Sequence, residues 1–551
     1  MTAAENKRSL VLEELRQNAF ITKDMRDVLG PKGESFNWFL DFKGVMLKPR
    51  MLDALATLFW EHMKERPSFQ LGGLETAAIA LIGGIAVKAA SEGVQLNAFY
   101  VRKSRKVDGM QRMIEGALTD EEVVLIDDAL NSGKSIVRQV EALKAEGRRV
   151  VEVCVIVAFR PQEYYEYFKK NGIRVWSIFT LEDFPETGGL LKAHLEPRKA
   201  LRVPFDVQWK FSSEDPQYFH VVPKSAPVLD EERVYFGADN GTLWAIRQRD
   251  GSVAWSHRVL FGAGRKKIFS SPCLCDGVVY FGAYDGNLYA LDAKTGKKRW
   301  IFMEADWVGS SPCAAEDLGS VFIGLEFGLW KKQGGIVALD AKTGEKKWTH
   351  DIETLVHSSP AYSSAFSAVV IGSESGEVYA FDAKSGKKRW THSSGGAVKG
   401  GFAFDEERGL VAFGSWDDHI HIVGMEHGEK VHAIHTHKPI YSNPLIAGGK
   451  LYMGLLDKRI VCVDVRSGNL LWEFWTHSRV FASPVVIDDS LYCGSNDGRL
   501  YELDLATGKE RGFFQATERI VNKIAYNPGT ERFFVPTYAN ELYCLSRRKD
   551  N

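Results

Sequence analysis

Two kinds of hydrophobic pattern divide the chain. Up to about residue 190, short apolar runs alternate with segments whose apolar residues recur every three or four positions. From about residue 205, apolar and polar residues alternate in short stretches between turns that contain Gly and Asp. The first pattern predicts strands alternating with helices, and the second predicts antiparallel strand pairs. We therefore expect an α/β domain over residues 1–195 and an all-β domain over residues 205–551.

The strand–turn–helix pattern is clearest over residues 121–135, EEVVLIDDALNSGKS. Four apolar residues lead into Asp127 and Asp128, a small polar turn follows, and a helix begins that carries Ile136, Val140 and Leu143 on one face. A loop at a helix N-terminus attracts anions, because unpaired N–H groups and the positive dipole end point toward it. Paired carboxylates suit a sugar diol or Mg²⁺. This stretch predicts a sugar-phosphate site, and an ordinary turn containing Asp is the simpler alternative.

Other loops of the first half follow strands in the same way. Residues 72–76, GGLET, come between a strand and a small-residue helix, and a basic run occupies residues 102–106. Arg160 directly follows the apolar strand of residues 150–159. In a parallel sheet all these loops lie at the carboxyl edge, where ligands bind. Taken singly, the glycine loop is equally consistent with a tight turn, and the basic run with a solvated surface.

The second half is a repeat array with a period of about 40–48 residues, which is typical of propeller blades. Each repeat has two alternating strands, an Asp-x-x-x-Gly turn and a strand that contains tryptophan, as in residues 278–300, 369–390 and 450–472. We count eight such hairpins, and Ser-Ser-Pro often opens the next repeat. Trp209 precedes the first hairpin, so a leading strand is expected to complete the last blade and close the ring.

Composition narrows the function classes. The formal net charge of the 551-residue chain is −1, and its pI is about 6.9, so nothing in its charge favours nucleic acid or a membrane surface. Seven scattered cysteines form no disulfide framework, and the first twenty residues contain no apolar signal core. We expect a cytoplasmic protein.

Five segments of the first half resemble orotate phosphoribosyltransferases, which are type I phosphoribosyltransferases. They are SFNWFLDFKG (35–44), GLETAAIAL (73–81), VRKSRKVDGMQRMIEG (101–116), residues 123–135 and GIRVWSIFTLEDF (172–184). The later repeats resemble the PQQ-like propeller family. The resemblances imply an α/β type I phosphoribosyltransferase fold followed by an all-β eight-bladed propeller. They also imply transfer of ribose 5-phosphate from Mg²⁺-bound 5-phosphoribosyl-1-pyrophosphate (PRPP) to an orotate-like nucleobase.

The resemblance also implies a role for each candidate residue. Arg102, Lys103 and Lys106 would hold pyrophosphate from a loop that reaches a partner subunit, and Gly73, Glu75 and Thr76 would line the pyrophosphate loop. Asp127 and Asp128 would hold the ribose, and Ser132, Gly133, Lys134 and Ser135 the 5-phosphate. Asn131 would lie at the base, and Arg160 would bind the base carboxylate. Lys103, Asp127 and Asp128 are the catalytic candidates, and Mg²⁺ would arrive with PRPP rather than in a protein metal site.

Two functional hypotheses remain open. The first is an enzyme whose propeller recruits an unidentified protein partner. This enzyme could form a homodimer through the first domain. The second is a non-catalytic sensor or scaffold that binds PRPP or a nucleotide and acts through the propeller. Asp108, Asn131 and Lys134 motivate the second hypothesis, because they depart from the residues that the family has at these positions.

Overall fold

The computed structural model describes residues 3–22, 38–40, 42–74, 77–101, 114–131, 133–184, 204–213, 225–259, 267–328 and 332–548. The chain divides into two compact units, Met1–Arg202 and Val203–Asn551. Within the described ranges, no helix combines the length and the apolar character that a membrane span needs.

The first unit alternates helices and strands, as the hydrophobic pattern predicts. Its elements are α1 Ala3–Asn18, β1 Phe20–Thr22, β2 Trp38–Leu40, α2 Lys43–Met46, α3 Pro49–Met63, β3 Phe69–Gly73, α4 Ala77–Ser91, β4 Tyr100–Val101, β5 Ile114–Glu115, β6 Glu122–Leu130, α5 Lys134–Ala145, β7 Val150–Ala158, α6 Glu166–Lys170 and β8 Arg174–Thr180. The central sheet has the strand order β3-β6-β7-β8, and every pair in it is parallel.

The core of this unit lies between the sheet and the helices α1, α3 and α4. Leu15, Phe59 and Trp60 from the helices pack in one buried cluster with Val124 and Ile126 of β6. The two β6 residues are two positions apart, so they point to the same face of the strand. The apolar run of β6 is therefore buried in the core, and it ends at the two adjacent aspartates.

The second unit consists of eight four-stranded antiparallel sheets, which we number as blades 1 to 8. A leading strand, β9 Phe205–Ser212, precedes them. Blade 1 contains β10 Val228–Leu229, β11 Arg233–Gly237, β12 Thr242–Arg247 and β13 Val253–Arg258; blade 2 contains β14 Cys273–Cys275, β15 Val278–Gly282, β16 Asn287–Asp292 and β17 Lys298–Met303; blade 3 contains β18 Cys313–Ala315, β19 Ser320–Phe327, β20 Gln333–Asp340 and β21 Lys346–Ile352; blade 4 contains β22 Ala361–Ser363, β23 Ala368–Gly372, β24 Glu377–Asp382 and β25 Lys388–Ser393.

The remaining blades repeat this arrangement. Blade 5 contains β26 Phe402–Asp405, β27 Leu410–Gly414, β28 His419–Gly424 and β29 Lys430–His435; blade 6 contains β30 Leu445–Ala447, β31 Lys450–Gly454, β32 Arg459–Asp464 and β33 Leu470–Trp475; blade 7 contains β34 Val485–Ile487, β35 Ser490–Gly494, β36 Arg499–Asp504 and β37 Glu510–Gln515; blade 8 contains β38 Ala525–Asn527, β39 Arg532–Pro536 and β40 Glu541–Arg547. The leading strand β9 pairs antiparallel with β40 and completes blade 8. The predicted eight-bladed architecture and the predicted ring closure are both confirmed.

Tryptophan and glycine join successive blades. Trp300 of blade 2 donates its Nε1–H to the Ala341 carbonyl of blade 3 at 3.0 Å, and its ring lies against Gly344 of the same turn. Five other tryptophans pair with the next blade in the same way, and they are Trp209, Trp255, Trp348, Trp390 and Trp472. In blade 5 His432 takes this position and contacts Gly468. The repeated Trp and Gly thus have the structural role that the repeat pattern indicates.

The Ser-Ser-Pro motif connects neighbouring blades at the start of several sheets. The first serine is buried and forms a hydrogen bond within its own blade. For example, Ser270 Oγ accepts the Gly282 N–H at 3.0 Å. The second serine forms a hydrogen bond with the preceding blade. For example, Ser311 Oγ accepts the Ser271 N–H at 2.9 Å. The motif therefore connects neighbouring blades through side-chain to backbone hydrogen bonds.

The contact between tryptophan and glycine can be tested with two glycines of blade 2 that both have φ near +69°. A Cβ on Gly296 would lie 2.6 Å from Cδ2 of Trp255, whereas a Cβ on Gly277 would meet nothing within 4 Å. Both alanine variants strain the backbone by about 1–2 kcal/mol, and Gly296→Ala adds an overpacking cost of about 1–3 kcal/mol. Urea unfolding of the propeller should show the larger loss for Gly296→Ala. Equal losses would mean that the Trp255 contact does not constrain this turn.

Candidate functional site

The sequence-predicted residues of the first unit lie at the carboxyl edge of its parallel sheet. Gly73 at the end of β3 is level with Ile126 of β6, and Leu130 at the end of β6 is level with Ala158 at the end of β7. Asp127 and Asp128 therefore lie just beyond Gly73 along the neighbouring strand, and Arg160 follows the end of β7. Ligands of open parallel sheets bind at this edge, so the position agrees with the expected site.

Asp127 and Asp128 are the last charged residues of β6, and their environments differ. Asp127 is 6% exposed, and its Oδ1 accepts the Asp128 backbone N–H at 3.0 Å. Asp128 is half-buried. Successive strand residues point to opposite faces of a sheet, so the two carboxylates diverge, and Asp128 is the more accessible to a ligand.

The polar turn after β6 leads directly into α5. Gly133 is the N-cap residue and has φ +76°, a conformation that favours glycine. The first intrahelical bond runs from the Val137 N–H to the Gly133 carbonyl at 2.9 Å, so the amides at the start of α5 have no partner inside the helix. Asn131 and Ser135 are exposed, Ser132 lies outside the described residues, and only the backbone of Lys134 is described. The described start of α5 therefore offers backbone amides to an anion.

Gly73 has a packing role in addition to its predicted one. A Cβ on Gly73 would lie 2.4 Å from the Ala78 Cβ and 2.6 Å from the Ile126 carbonyl oxygen. Only glycine therefore lets the first turn of α4 approach the end of β3 so closely. Glu75 and Thr76, predicted for the same loop, lie outside the described residues.

The two strands that flank the basic run in the sequence form a short hairpin beside β3. β4 and β5 pair antiparallel, and Val101 forms a bridge with Leu74 just after β3 ends. The ends of the basic loop are thus held beside the carboxyl edge of β3. The predicted residues Arg102, Lys103 and Lys106, and also Asp108, lie outside the described residues.

A buried amide that the sequence analysis did not identify fixes both ends of this hairpin. The side chain of Gln70 in β3 is fully buried, accepts hydrogen bonds from Asn97 Nδ2 and the Thr119 N–H, and donates to the carbonyls of Thr119 and Glu121. Gly116 lies in the same segment with φ +105°, and a Cβ there would lie 2.7 Å from the Ala98 carbonyl oxygen. Gly116 is therefore required by a close backbone approach.

Arg160 follows the end of β7, which lies on the opposite side of β6 from β3. Its Nε is buried and makes no hydrogen bond within the described part of the chain. The guanidinium carbon lies 5.4 Å from the centre of the Tyr164 ring. A buried donor without a partner is costly, so this nitrogen is a candidate to bind an anionic ligand group.

A second cluster of titratable groups lies toward the amino end of β7, away from this edge. Glu152 is buried, and its carboxylate contacts His62, Arg66, Cys154 and Arg174. Burial raises the pKa of Glu152, but the hydrogen bond from His62 and the charge of Arg66 outweigh burial and lower it overall. Two guanidinium groups already neutralise this carboxylate, so the cluster is a structural ion pair.

The fold and the carboxyl-edge site together define the class of the first unit. A parallel sheet, two acids at the end of a buried strand, a glycine-containing turn opening a helix and a hairpin carrying a basic loop are the parts of a phosphoribosyltransferase domain. The family model described as phosphoribosyl transferase domain matches residues 47–180, in agreement with this class.

Curated relatives of the first unit are orotate phosphoribosyltransferases. The enzyme of Methanopyrus kandleri is 31% identical over 157 residues, which are 28% of this chain and 81% of the relative. That of Bradyrhizobium sp. strain BTAi1 is 29% identical over 182 residues, which are 32% of this chain and 96% of the relative. The first unit is accordingly a phosphoribosyltransferase domain of the pentosyltransferase class.

The propeller has its own relatives. The family model described as outer membrane protein assembly factor BamB matches residues 205–374 and 374–519. BamB from Moraxella catarrhalis has a TM-score of 0.50 at 17% identity and covers 63% of this chain and 99% of its own. A quinohemoprotein alcohol dehydrogenase from Comamonas testosteroni has a TM-score of 0.53 at 15% identity, over 63% of this chain and 78% of its own. The chain thus belongs to the orotate phosphoribosyltransferase family through its first unit and to the BamB propeller family through its second.

Proposed function

We propose that this protein transfers ribose 5-phosphate from Mg²⁺-bound PRPP to the ring nitrogen of a carboxylated, orotate-like nucleobase. The observation that supports this most is the arrangement at one sheet edge of two carboxylates, a helix-opening turn and an arginine with an unpaired buried nitrogen. Each group matches a different part of the two substrates. In the reaction, the bond from ribose C1 to pyrophosphate breaks, a bond from C1 to the base nitrogen forms, and the base releases a proton.

Mg²⁺ fits the donor set at the end of β6. Mg²⁺ prefers carboxylate oxygens together with substrate phosphates, and the half-buried Asp128 supplies such oxygens beside the expected phosphate turn. When bound, the ion would neutralise the pyrophosphate charge. Asp128 would hold the ribose hydroxyls, and the amides opening α5, with Ser135, would bind the 5-phosphate. Arg102, Lys103 and Lys106 keep the pyrophosphate role that the family resemblance implies.

Arg160 supports an acidic base as the second substrate. A guanidinium pairs with a carboxylate through two parallel hydrogen bonds, and the buried Nε of Arg160 is available for one of them. A neutral base would leave this donor unpaired at a cost of about 1–3 kcal/mol. Orotate, which carries a carboxylate, is therefore the preferred candidate.

The central test compares two variants. One removes a charge at the site, and the other removes a charge at the opposite end of the same strand. Asp128→Asn should weaken PRPP binding in the presence of Mg²⁺ at least tenfold, because it removes a ligand of the ribose. Glu122→Gln is the matched control, since Glu122 begins β6 and pairs with Arg149 away from the site. Calorimetry measures binding, and pyrophosphate release with orotate measures turnover.

The same experiment separates the two functional hypotheses. Wild-type turnover that chelation of Mg²⁺ abolishes is the result expected for the enzyme. PRPP binding without turnover over a panel of bases would instead establish the sensor. No binding of PRPP or of a nucleotide by the wild type would refute both hypotheses.

We also propose that the protein forms a homodimer through α4. Ile79, Gly83 and Val87 lie one helical turn apart, and all three are exposed. A mid-helix glycine costs about 1 kcal/mol relative to alanine, and a Cβ on Gly83 would meet nothing within 4 Å in the described part of this chain. Close approach of a second helix would account for a glycine here.

Sedimentation velocity tests this dimer. Wild type should sediment as a dimer at micromolar concentration, and Val87→Glu should sediment as a monomer. Val94→Glu, at an exposed valine beyond the end of α4, should leave the dimer intact. A monomeric wild type would contradict the proposal.

We propose that the propeller recruits its protein partner at the outer strand of blade 6. β33 is an edge strand of its sheet, so the backbone groups along its free edge are available to another strand. Leu470, Leu471 and Trp475 on this strand are about half exposed. The outer strands of blades 2 to 5 begin with lysine instead, and lysine protects edges from pairing. An extended apolar segment of a partner fits β33 best.

The recruitment proposal predicts a selective effect of charge at β33. A partner recovered with wild type should be lost with Leu471→Lys/Trp475→Lys but retained with Met303→Lys, which alters an exposed apolar residue on the outer strand of blade 2. The purified partner should then protect the amides of residues 470–475 from hydrogen exchange. Protection elsewhere on the propeller, or equal recovery with all three proteins, would refute the proposal.

A further inference from the structure

Two adjacent tyrosines follow Arg160, and neither has a role in the function proposed above. Tyr164 ends a short 3-10 turn over residues 162–164, and Tyr165 comes directly before α6. Both lie between the end of β7 and α6, beside the turn that opens α5. Their contacts reach the two parts of the site that must bind different substrates.

Tyr165 contacts the phosphate turn at two points. Its hydroxyl donates to the carbonyl of Leu130 at 2.7 Å. Leu130 is the last residue of β6 before the turn. Its ring also lies beneath Gly133, since a Cβ on that glycine would be 3.6 Å from Cδ1 of Tyr165 and 3.5 Å from the Phe168 ring. The turn between Leu130 and Gly133 therefore rests on the aromatic side chain at both of its ends.

The same tyrosine also contacts the segment that carries the base-side arginine. The Leu130 carbonyl that accepts from Tyr165 also accepts the N–H of Phe159, the residue before Arg160, at 2.8 Å. The Tyr165 side chain is only 4% exposed. Burial raises the pKa of Tyr165 well above its usual range, so the hydroxyl stays protonated and keeps donating to Leu130. The Leu130 carbonyl thus joins the neutral Tyr165 hydroxyl to the strand end that leads into Arg160.

Tyr164 acts on the arginine side chain rather than on the backbone. The Arg160 guanidinium lies over the Tyr164 ring, and the Tyr164 ring meets Tyr165 edge-to-face at 5.4 Å between centroids. A guanidinium above an aromatic face is attracted to the ring without using its N–H groups. This contact orients Arg160 and leaves its buried Nε for a ligand.

We propose that Tyr164 and Tyr165 are positioning residues that set the spacing between the two substrates: Tyr165 fixes the phosphate turn relative to Arg160, and Tyr164 aims Arg160 at an acidic base. The inference rests on the proposed function. It concerns orientation only, because neither tyrosine is placed in contact with a reacting atom. Loss of a positioning contact shifts the affinity for one substrate more than the other, which simple loss of packing does not do.

Each tyrosine has a variant that isolates its contribution. Tyr165→Phe keeps the ring beneath Gly133 and removes only the hydroxyl, and it should raise the KM for PRPP about five- to tenfold, corresponding to one hydrogen bond. Tyr164→Leu removes the aromatic face and should raise the KM for orotate about fivefold while the PRPP affinity stays within twofold of wild type. Tyr164→Phe retains the face and should restore the orotate KM.

Tyr167→Phe is the matched control for loss of a buried hydroxyl. Tyr167 is also buried, and its hydroxyl donates to Glu141 in the middle of α5, away from the phosphate turn. Both variants should lower the thermal midpoint, Tyr167→Phe by more because its hydroxyl donates to a buried carboxylate, but only Tyr165→Phe should change the KM for PRPP. The readouts are steady-state kinetics with PRPP and orotate, calorimetry with Mg²⁺ and PRPP, and thermal melting.

The outcomes separate this inference from the proposed function. If the wild type turns over and Tyr165→Phe matches Tyr167→Phe in both KM values, the positioning role of Tyr165 is overturned while the proposed function stands. If Tyr164→Leu and Tyr164→Phe affect orotate equally, the aromatic face does not aim Arg160. If the wild type neither binds PRPP nor turns over, the proposed function fails and the inference fails with it.

Discussion

The parallel pairing of β6 with β7 is the constraint on which the site depends. It aligns Leu130 with Ala158, so the turn after β6 and Arg160 after β7 emerge side by side. The Phe159 N–H donates to the Leu130 carbonyl at 2.8 Å, and the Tyr165 hydroxyl donates to the same oxygen. That one carbonyl therefore joins the strand ends that carry the phosphate turn and the base-side arginine. A slip of one residue in this register would turn the aspartates to the opposite faces of the sheet.

The propeller is held together by a different principle, in which one type of joint recurs. Six blades present a tryptophan to a glycine of the next blade and its Nε1–H to a carbonyl of that turn, and in blade 5 a histidine takes this position. The strand β9 pairs with β40 and makes the first and last blades continuous. This repetition leaves the outer edges free to differ, and blade 6 differs through Leu470, Leu471 and Trp475. The ring supplies rigidity, and the variation along its rim supplies the specificity that we propose for partner recruitment.

Local patterns in the sequence predicted much of the fold and part of the site. The apolar run ending in Asp127 and Asp128 predicted the strand, the turn and the helix, because all three are encoded within fifteen consecutive residues. The period of the Trp and Gly repeats predicted eight blades, and the unpaired leading Trp209 predicted closure. Each of these signals lies in neighbouring residues or in a repeat.

Contacts between distant residues escaped the sequence analysis. Gln70 reads as an ordinary polar residue of a strand, yet its buried amide binds groups at residues 97, 119 and 121. Glycine is required at position 116 by the close approach of the Ala98 carbonyl, which no local pattern indicates. Tyr165 follows a Pro-containing turn, and nothing local indicates that its hydroxyl reaches Leu130. Only the pairing of the strands brings these partners together.

The central claim is that the carboxyl edge of the first unit converts PRPP and an acidic base into a nucleotide. Phosphorus NMR of the full-length protein with Mg²⁺, PRPP and orotate follows that conversion directly. We expect the PRPP signals to be replaced by those of free pyrophosphate and a nucleoside 5-monophosphate, and Asp128→Asn to slow this replacement at least tenfold. Persistence of the PRPP signals with the wild-type protein would refute the proposed reaction.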